Sequence, residues 1–255
     1  MFSKKVKINL NDIMFPLDLN AVEVPQGICK VKNYVLISCY KTDNSKSCII
    51  IYKNGIRTKE VVLKNKSHVG GIGYDKKTNL LFICDVNGKV SSYNFFEFIK
   101  GNLDSRKKIK TENKVCSFLT VNDNKLFVGS FNKIKRGKVN VFEIGKNKIK
   151  YNYSFKVPNK IQGLTFYNKD SVNYLLLSKS FGRKRNSKLL IYRFDLKRKN
   201  YIITKIRYKL PPMLEQIVVD GNKLLLLFES SACIYKDSCR CVTSDVISLD
   251  INNLI

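Results

Sequence analysis

The chain has 255 residues, of which 44% are hydrophobic, and this composition is typical of a globular protein and excludes a disordered one. No stretch approaches the roughly 18 to 20 consecutive apolar residues that a membrane-spanning helix needs, so we expect a soluble protein. The formal net charge is +27, from 47 Lys and Arg against 20 Asp and Glu, which excludes an acidic surface and would attract polyanions.

The amino-terminal segment combines a signal-peptide feature with features that argue against one. It begins with a Lys pair, but Asn9, Asn11 and Asp12 interrupt the apolar run that a signal peptide requires. We therefore expect a cytoplasmic protein if the chain starts here, and a secreted one if the chain is a processed form. Within this segment KVKINL, residues 5–10, predicts a strand.

The rest of the chain repeats one pattern five times. The repeat is marked by the apolar residue that follows the "QG" of VPQGICKV, and it recurs at separations of 44, 46, 46 and 53 residues, at Ile28, Ile72, Phe118, Leu164 and Ile217. A second apolar run follows in every repeat, as YVLISCY, LLFICDV, KLFVGSF, YLLLSKS and KLLLLFES. Short runs rich in Val, Ile and aromatic residues, separated by turn signals such as Asn87-Gly88, predict antiparallel strands. Repeats of about 40 to 50 residues with four such strands are typical of propeller blades.

These repeats predict an all-β fold, a single five-bladed β-propeller. The expected blades cover residues 24–64, 68–111, 115–157, 160–210 and 213–251. The fifth repeat lacks a fourth strand, so we expect the amino-terminal strand of residues 5–10 to pair into the last blade and close the ring. An open two-sheet sandwich is the alternative, but it gives no reason for five similar repeats.

The propeller fold predicts one candidate site. Inner strands begin at the face where second strands end, so residues at both positions converge around one mouth of the central channel. The polar residues at these positions are Gln26, Tyr40, His68, Asp85, Gln162, Ser180, Glu215, Glu229 and Ser230. Arg183 lies in a basic loop on the same face, where it would either clamp an anionic ligand or form part of a solvated turn. Gln26 and Gln162 also fit a purely structural role, the bonding of backbone groups where inner strands crowd.

Three functions are compatible with this mouth and with the charge. The first is a non-catalytic binding module for a small ligand, a glycan or a protein partner. The second is a hydrolase or transferase in which Asp85 orients His68 as a base and Glu215 or Glu229 serves as the acid. The third is electrostatic binding to nucleic acid or anionic lipid, which the Arg content weakens because only 9 of the 47 basic residues are Arg.

No motif in the chain indicates a cofactor, so we expect none, and we expect a monomer. A metal set of His68, Asp85 and Glu215 is conceivable, but no ligand spacing supports it and we predict no metal site. Five of the eight cysteines lie in or beside apolar runs and fit buried thiols. The other three form the C-x5-C-x-C pattern of Cys233, Cys239 and Cys241, which lacks the spacing of a zinc site and fits either a disulfide or free thiols.

Several segments together resemble a known family. They are VPQG with YVLIS, SHVGGIGYD, LFVGSF, IQGL with SKSFGR, and PPMLEQIVV with LLFESSA. This set resembles an uncharacterised family of bacterial propeller proteins, often secreted by Gram-positive organisms, over about residues 20–250. The resemblance implies the five-bladed fold and places eight of the candidate residues in recurring motifs, namely Gln26, His68, Gln162, Ser180, Arg183, Glu215, Glu229 and Ser230. It implies no reaction, and the chain departs from the family in its first residues and in the C-x5-C-x-C loop.

Overall fold

The computed structural model describes residues 4–104, 107–146 and 148–255, which form five sheets that are antiparallel except for one short edge strand. The chain opens with β1 (Lys4–Lys5) and β2 (Ile13–Pro16). Blade one then contains β3 (Glu23–Val31), β4 (Tyr34–Lys41), β5 (Cys48–Lys53) and β6 (Ile56–Val62). Blade two contains β7 (Ile72–Asp75), β8 (Leu80–Cys84), β9 (Lys89–Asn94), the helix α1 (Phe95–Lys100) and β10 (Lys107–Lys110).

The remaining blades follow the same plan, with the innermost strand first. Blade three contains β11 (Phe118–Asn122), β12 (Lys125–Gly129), β13 (Gly137–Ile144) and β14 (Ile149–Val157). Blade four contains β15 (Ile161–Lys169), β16 (Val172–Lys179), β17 (Ser187–Asp195) and β18 (Asn200–Leu210). Blade five contains β19 (Leu214–Asp220), β20 (Lys223–Phe228), the short helix α2 (Cys233–Lys236) and β21 (Asp245–Asp250). Inner strands of successive blades contact one another in a closed circuit, so the predicted five-bladed propeller is confirmed.

The ring is closed by an amino-terminal strand in the last blade, as expected, but the strand is β2 rather than residues 5–10. β2 pairs antiparallel with β21, with Phe15 opposite Val246. Phe15 is only 5% exposed and its ring lies 4.9 Å from that of Tyr52 in blade one, so this residue anchors the strand. Pro16 is tolerated because an outer strand leaves one row of backbone groups unpaired.

The segment of residues 5–10 lies instead along blade four. Lys4 and Lys5 of β1 pair in parallel with β18, opposite Tyr208 and Lys209. Val6 and Ile8 pack only in part against the core between blades four and five, and Leu10 is 85% exposed. The strand predicted for KVKINL is therefore limited to its first residue, since β1 ends at Lys5 and Leu10 begins a 3-10 helix, and the segment buries too little apolar surface to form the closing strand.

The core consists of five apolar layers, one in each seam between neighbouring blades. Alternate residues of a strand enter opposite seams: Ile49 and Ile51 of β5 face blade two, whereas Ile50 and Tyr52 face blade five. Both faces of a blade are thus buried, which explains why the strands are continuous apolar runs rather than alternating ones.

The buried side chain of Gln216 from β19 lies between the inner strands of several blades. Its Oε1 accepts hydrogen bonds from the backbone N–H groups of Ile28 (3.2 Å) and Ile72 (3.0 Å). Its Nε2 donates to the carbonyls of Ile72 (2.8 Å) and Leu119 (3.0 Å). One amide therefore joins the inner strand of blade five to those of blades one, two and three.

Two glycines create the space that Gln216 fills. A Cβ at Gly27 would lie 2.8 Å from the Oε1 of Gln216, and one at Gly163 would lie 2.8 Å from its Cα. Both distances are shorter than side-chain carbons tolerate, so these two inner strands approach the axis only because they carry glycine there.

We expect Gln216→Leu to destabilise the fold strongly. Leucine fills a similar volume but leaves the axial backbone groups of Ile28, Ile72 and Leu119 without their partner, at about 1 to 3 kcal/mol for each buried group. The predicted loss is about 3 kcal/mol or more of unfolding free energy, measured by urea denaturation. Gln162→Leu, which removes one side-chain bond rather than four, is the matched control. Equal losses for the two variants would contradict the axial role.

Candidate functional site

Three β-bulges direct polar side chains toward the mouth. In β3 the register passes from Pro25 to Gly27, in β15 from Ile161 to Gly163, and in β19 from Leu214 to Ile217. The residues left out of the ladders are Gln26, Gln162, Glu215 and Gln216. A residue in a bulge does not follow the alternation of side chains between the two faces of the sheet, so its side chain can point away from both faces.

The two glutamines each hold one glutamate. Gln26 Nε2 donates to Glu229 Oε1 at 2.8 Å, and also to the carbonyl of Pro25 at 2.9 Å. Gln162 Nε2 donates to Glu215 Oε1 at 3.0 Å. The repeated "QG" thus performs the same task in blades one and four, the binding of a carboxylate that blade five contributes.

Glu215 and Glu229 form a pair of buried carboxyl groups. Glu215 is only 4% exposed, and Glu229 lies in the turn after β20 and is half-buried. Burial, together with the neighbouring Glu229, raises the pKa of Glu215 well above its usual value. Burial also raises the pKa of Glu229 to about 7, against the opposing effects of Gln26, Tyr235, Arg183 and Tyr40. The pair therefore holds a proton near neutral pH.

Aromatic side chains line the mouth beside this pair. The hydroxyl groups of Tyr40 and Tyr235 lie 3.0 Å apart, and the rings of Tyr40 and His68 stack with centroids 4.9 Å apart. The guanidinium of Arg183 lies 4.7 Å from the centre of the Tyr235 ring. The side chain of His68 is exposed, but the protein atoms around its imidazole displace part of the bulk water and thereby lower its pKa.

These residues form one group, which we call the mouth cluster. It consists of Gln26, Tyr40, His68, Gln162, Arg183, Glu215, Glu229 and Tyr235. Seven of the eight are residues that the sequence indicated. Tyr235 was missed because α2 lies in a segment of blade five that has no counterpart in the other repeats. Gln216 was also missed, although it occupies the repeat position held by Gly27, Gly71 and Gly163.

Three predicted residues lie elsewhere. Asp85 bonds Asn65 (2.9 Å) and Ser91 (2.6 Å) in the seam between blades one and two. Ser180 accepts a hydrogen bond from the hydroxyl of Ser187 (3.0 Å). Ser230 accepts one from the backbone of Thr243 (3.1 Å). The contacts of all three organise loops, and the oriented pair of His68 and Asp85 is not among the contacts of the mouth cluster.

One group of possible metal ligands occurs away from the mouth. The ligand atoms of Glu23, Cys48 and Glu60 lie within 4.8 Å of one another. Arg57 donates two hydrogen bonds to Glu23 (2.8 and 2.9 Å), and Lys41 donates one to Glu60 (2.6 Å). The protein's own cations thus neutralise these carboxylates, which makes the group an ion-pair network. The four strand cysteines and Cys116, which precedes β11, are buried, and all eight cysteines are free thiols.

Comparison with solved structures supports the fold alone. The chain is similar to hydrazine synthase of Kuenenia stuttgartiensis, with a TM-score of 0.52 and 12% identity over 82% of this chain and 57% of that one. It is similar to the GH32 β-fructofuranosidase BmSUC1 of Bombyx mori, with a TM-score of 0.52 and 10% identity over 86% of this chain and 57% of that one. The WD40 β-propeller domain of Doa1 gives a TM-score of 0.49 and 12% identity over 85% of this chain and 66% of that one.

The chain spans 57% of the length of each of the first two structures. No protein-family model and no curated protein sequence matches it. The five-bladed fold implied by the resemblance of its motifs is confirmed by the structure. Among the described residues there is no helix with the length and hydropathy to cross a membrane.

We expect stability to fall as the pH rises past the pKa of Glu229. The folded pKa of about 7 is above the ordinary 4.5, so the native state binds more protons than the unfolded chain between these values, and its stability declines as the proton is lost. The thermal midpoint should drop between about pH 5 and about pH 8. Glu229→Gln should make the thermal midpoint depend less on pH, and it should raise the midpoint near pH 8 above that of the wild type.

The matched control is Glu112→Gln, which removes a carboxylate that is exposed and paired with Lys138 at 2.7 Å. It should retain the wild-type pH profile. An identical pH profile for wild type and Glu229→Gln would contradict a neutral Glu229.

Proposed function

We propose that this protein is a binding module whose mouth cluster recognises a cationic group, an amine or a guanidinium. The group belongs either to a small molecule, to an amino-bearing glycan or to a side chain of a protein partner. The observation that carries the proposal is the carboxyl pair of the buried Glu215 and the half-buried Glu229, beside the hydroxyl groups of Tyr40 and Tyr235.

The carboxyl pair offers more acceptor capacity than the protein uses. An ionised carboxylate presents about four lone-pair sites. Glu215 receives an amide hydrogen bond from Gln162, and Glu229 receives one from Gln26 and also bonds the hydroxyl groups of Tyr40 and Tyr235. A ligand with several N–H donors would bond the remaining lone pairs, and its positive charge would favour the ionised form of the pair and release the proton that the pair holds.

Arg183 illustrates the kind of group that fits here. Its guanidinium lies over the face of Tyr235, and its charge lowers the pKa of Glu229. A cation on an aromatic face beside a carboxylate is a recurring arrangement for the recognition of amines. Because Arg183 is exposed on its loop, a ligand can replace it without disturbing the buried part of the cluster.

The geometry supports binding better than catalysis. The hydrolase hypothesis requires His68, Asp85, Glu215 and Glu229 in one pocket, whereas Asp85 accepts hydrogen bonds from Asn65 and Ser91 in the seam between blades one and two. Binding makes a smaller demand, because it needs only polar groups within reach of one ligand.

The single histidine of the chain gives a direct test. The imidazole resonances of His68 report on the mouth alone, and they can be followed by NMR during titration with arginine methyl ester. We expect a saturable shift, and we expect Glu229→Gln to weaken the apparent affinity by about tenfold, the usual effect of losing one charged hydrogen-bond partner.

Glu112→Gln is again the control and should bind like the wild type. A saturable shift with methyl glucoside but not with arginine methyl ester would support a binding mouth and overturn its preference for cations. The absence of a saturable shift with both probes would overturn the proposed function.

A further inference from the structure

A row of lysines crosses blade four. Lys179 of β16 lies directly opposite Lys188 of β17, and Lys188 lies opposite Lys209 of β18. Lys5 of β1 continues the row beyond Lys209. Residues directly opposite one another share a face of the sheet, and like charges in this arrangement destabilise it.

The row faces the seam between blades three and four. Leu190 and Tyr192, which alternate with Lys188 on the same face of β17, belong to the apolar layer of that seam. Arg207 lies opposite Leu190 and adds a further cation. Lys179 is half-buried there, and burial followed by the charges of Lys188, Lys160 and Arg207 lowers its pKa.

The lysines at this seam lack the carboxylate partners that cations in blade one have. In blade one, Lys41 and Arg57 bond Glu60 and Glu23 at 2.6 and 2.8 Å. Over residues 4–104, 107–146 and 148–255, by contrast, none of Lys160, Lys179 and Lys188 forms a salt bridge, and Lys179 donates to the neutral Asn159 at 2.7 Å. A general excess of lysine explains exposed charge, but it does not explain several cations without carboxylate partners at a half-buried seam.

A cavity of about 590 Å³ opens on this seam. Arg136, Tyr201 and Arg207 line it, and Arg136 donates to the hydroxyl of Tyr201 at 2.9 Å. On the mouth side, the amines of Lys133 and Lys160 each lie 4.9 Å from the centre of the Phe181 ring. Asn159, which also lines the cavity, accepts a hydrogen bond from Lys179 at 2.7 Å, so the lysine row borders the cavity. We call the cavity and the cationic surface beside it the cationic groove. It is defined by Arg136 and Tyr201, which line the cavity, and by Lys160, Lys179, Phe181 and Lys188, which lie beside it.

We propose that the cationic groove binds single-stranded nucleic acid, with backbone phosphates on its lysines and arginines and bases on Tyr201 and Phe181. Interleaved cations and aromatic rings in a groove are the features by which proteins hold single strands without reading their sequence. The scarcity of Arg is compatible with this mode, because no base edge has to be read by a bidentate contact. This site is separate from the mouth cluster and does not depend on the function proposed for it.

The test compares two double variants that remove the same charge. Lys179→Gln with Lys188→Gln removes the centre of the row, whereas Lys76→Gln with Lys77→Gln removes two exposed lysines from the turn between β7 and β8. Binding of a fluorescein-labelled oligothymidylate of about 20 nucleotides is measured by anisotropy over a range of KCl concentrations. We expect the first variant to bind about tenfold more weakly, with a salt slope reduced by about 1 to 2, and the second to bind within about twofold of wild type.

Two further measurements make the outcome specific. Tyr201→Leu keeps every charge and should weaken binding by about fivefold or more with an unchanged salt slope, since it removes a stacking surface. Lys179→Gln with Lys188→Gln should not lower the thermal midpoint, because it removes repulsion between like charges. A loss of binding therefore cannot be attributed to unfolding. Equal weakening of oligonucleotide binding in the two double variants would contradict the proposed groove. The proposal would also be overturned if the oligonucleotide does not bind, while phosphatidylserine vesicles bind the wild type and bind Lys179→Gln with Lys188→Gln more weakly.

Discussion

The ring depends on how the crowded axis satisfies its backbone. Inner strands of five blades converge so closely that side chains do not fit at every position, yet their N–H and C=O groups are buried and require partners. Gln216 meets both demands, because its amide offers a donor and an acceptor at the end of a flexible side chain. Gly27 of blade one and Gly163 of blade four leave space at the axis, and Gln216 of blade five fills that space.

Long-range order in the sequence was easier to predict than the role of single residues. The spacing of Ile28, Ile72, Phe118, Leu164 and Ile217 reflects the constant size of a blade, so the fold followed from it. The closing strand did not follow, because KVKINL has a cleaner alternation than IMFP. What decides between them is the burial of Phe15 against Tyr52, which depends on a contact between the first and fifth blades.

The position of the candidate site was also predictable from the repeat spacing, whereas the contacts of its single residues were not. Repeat position placed Gln26, Gln162, Glu215 and Glu229 at one face, but it gave no direction to their side chains. Asp85 shares that position and nevertheless bonds Ser91 in a seam. Local hydrogen-bond competition, which a spacing rule does not contain, determines which residues of the ring belong to the mouth cluster.

Charged side chains form three kinds of group in this fold. In blade one, Glu23, Arg57 and Glu60 neutralise one another. At the mouth two carboxyl groups lie close together, and at the seam of blades three and four several half-buried cations do. Like charges held together cost folding free energy, and such sites are over-represented among functional ones because a ligand of opposite charge recovers that cost. The two groups have opposite sign, so the ligands proposed for them differ in charge and would bind at different places on the molecule.

The bulges at Gln26, Gln162 and Glu215 have a consequence for how this scaffold can change. Each bulge removes a residue from the hydrogen-bonded ladder, so the identity of that residue is uncoupled from the pairing of the strands. Substitution there alters the chemistry at the mouth and leaves strand register intact. A scaffold of this kind can acquire new binding preferences by exchanging a few side chains, much as an antibody domain varies its loops while the framework stays constant.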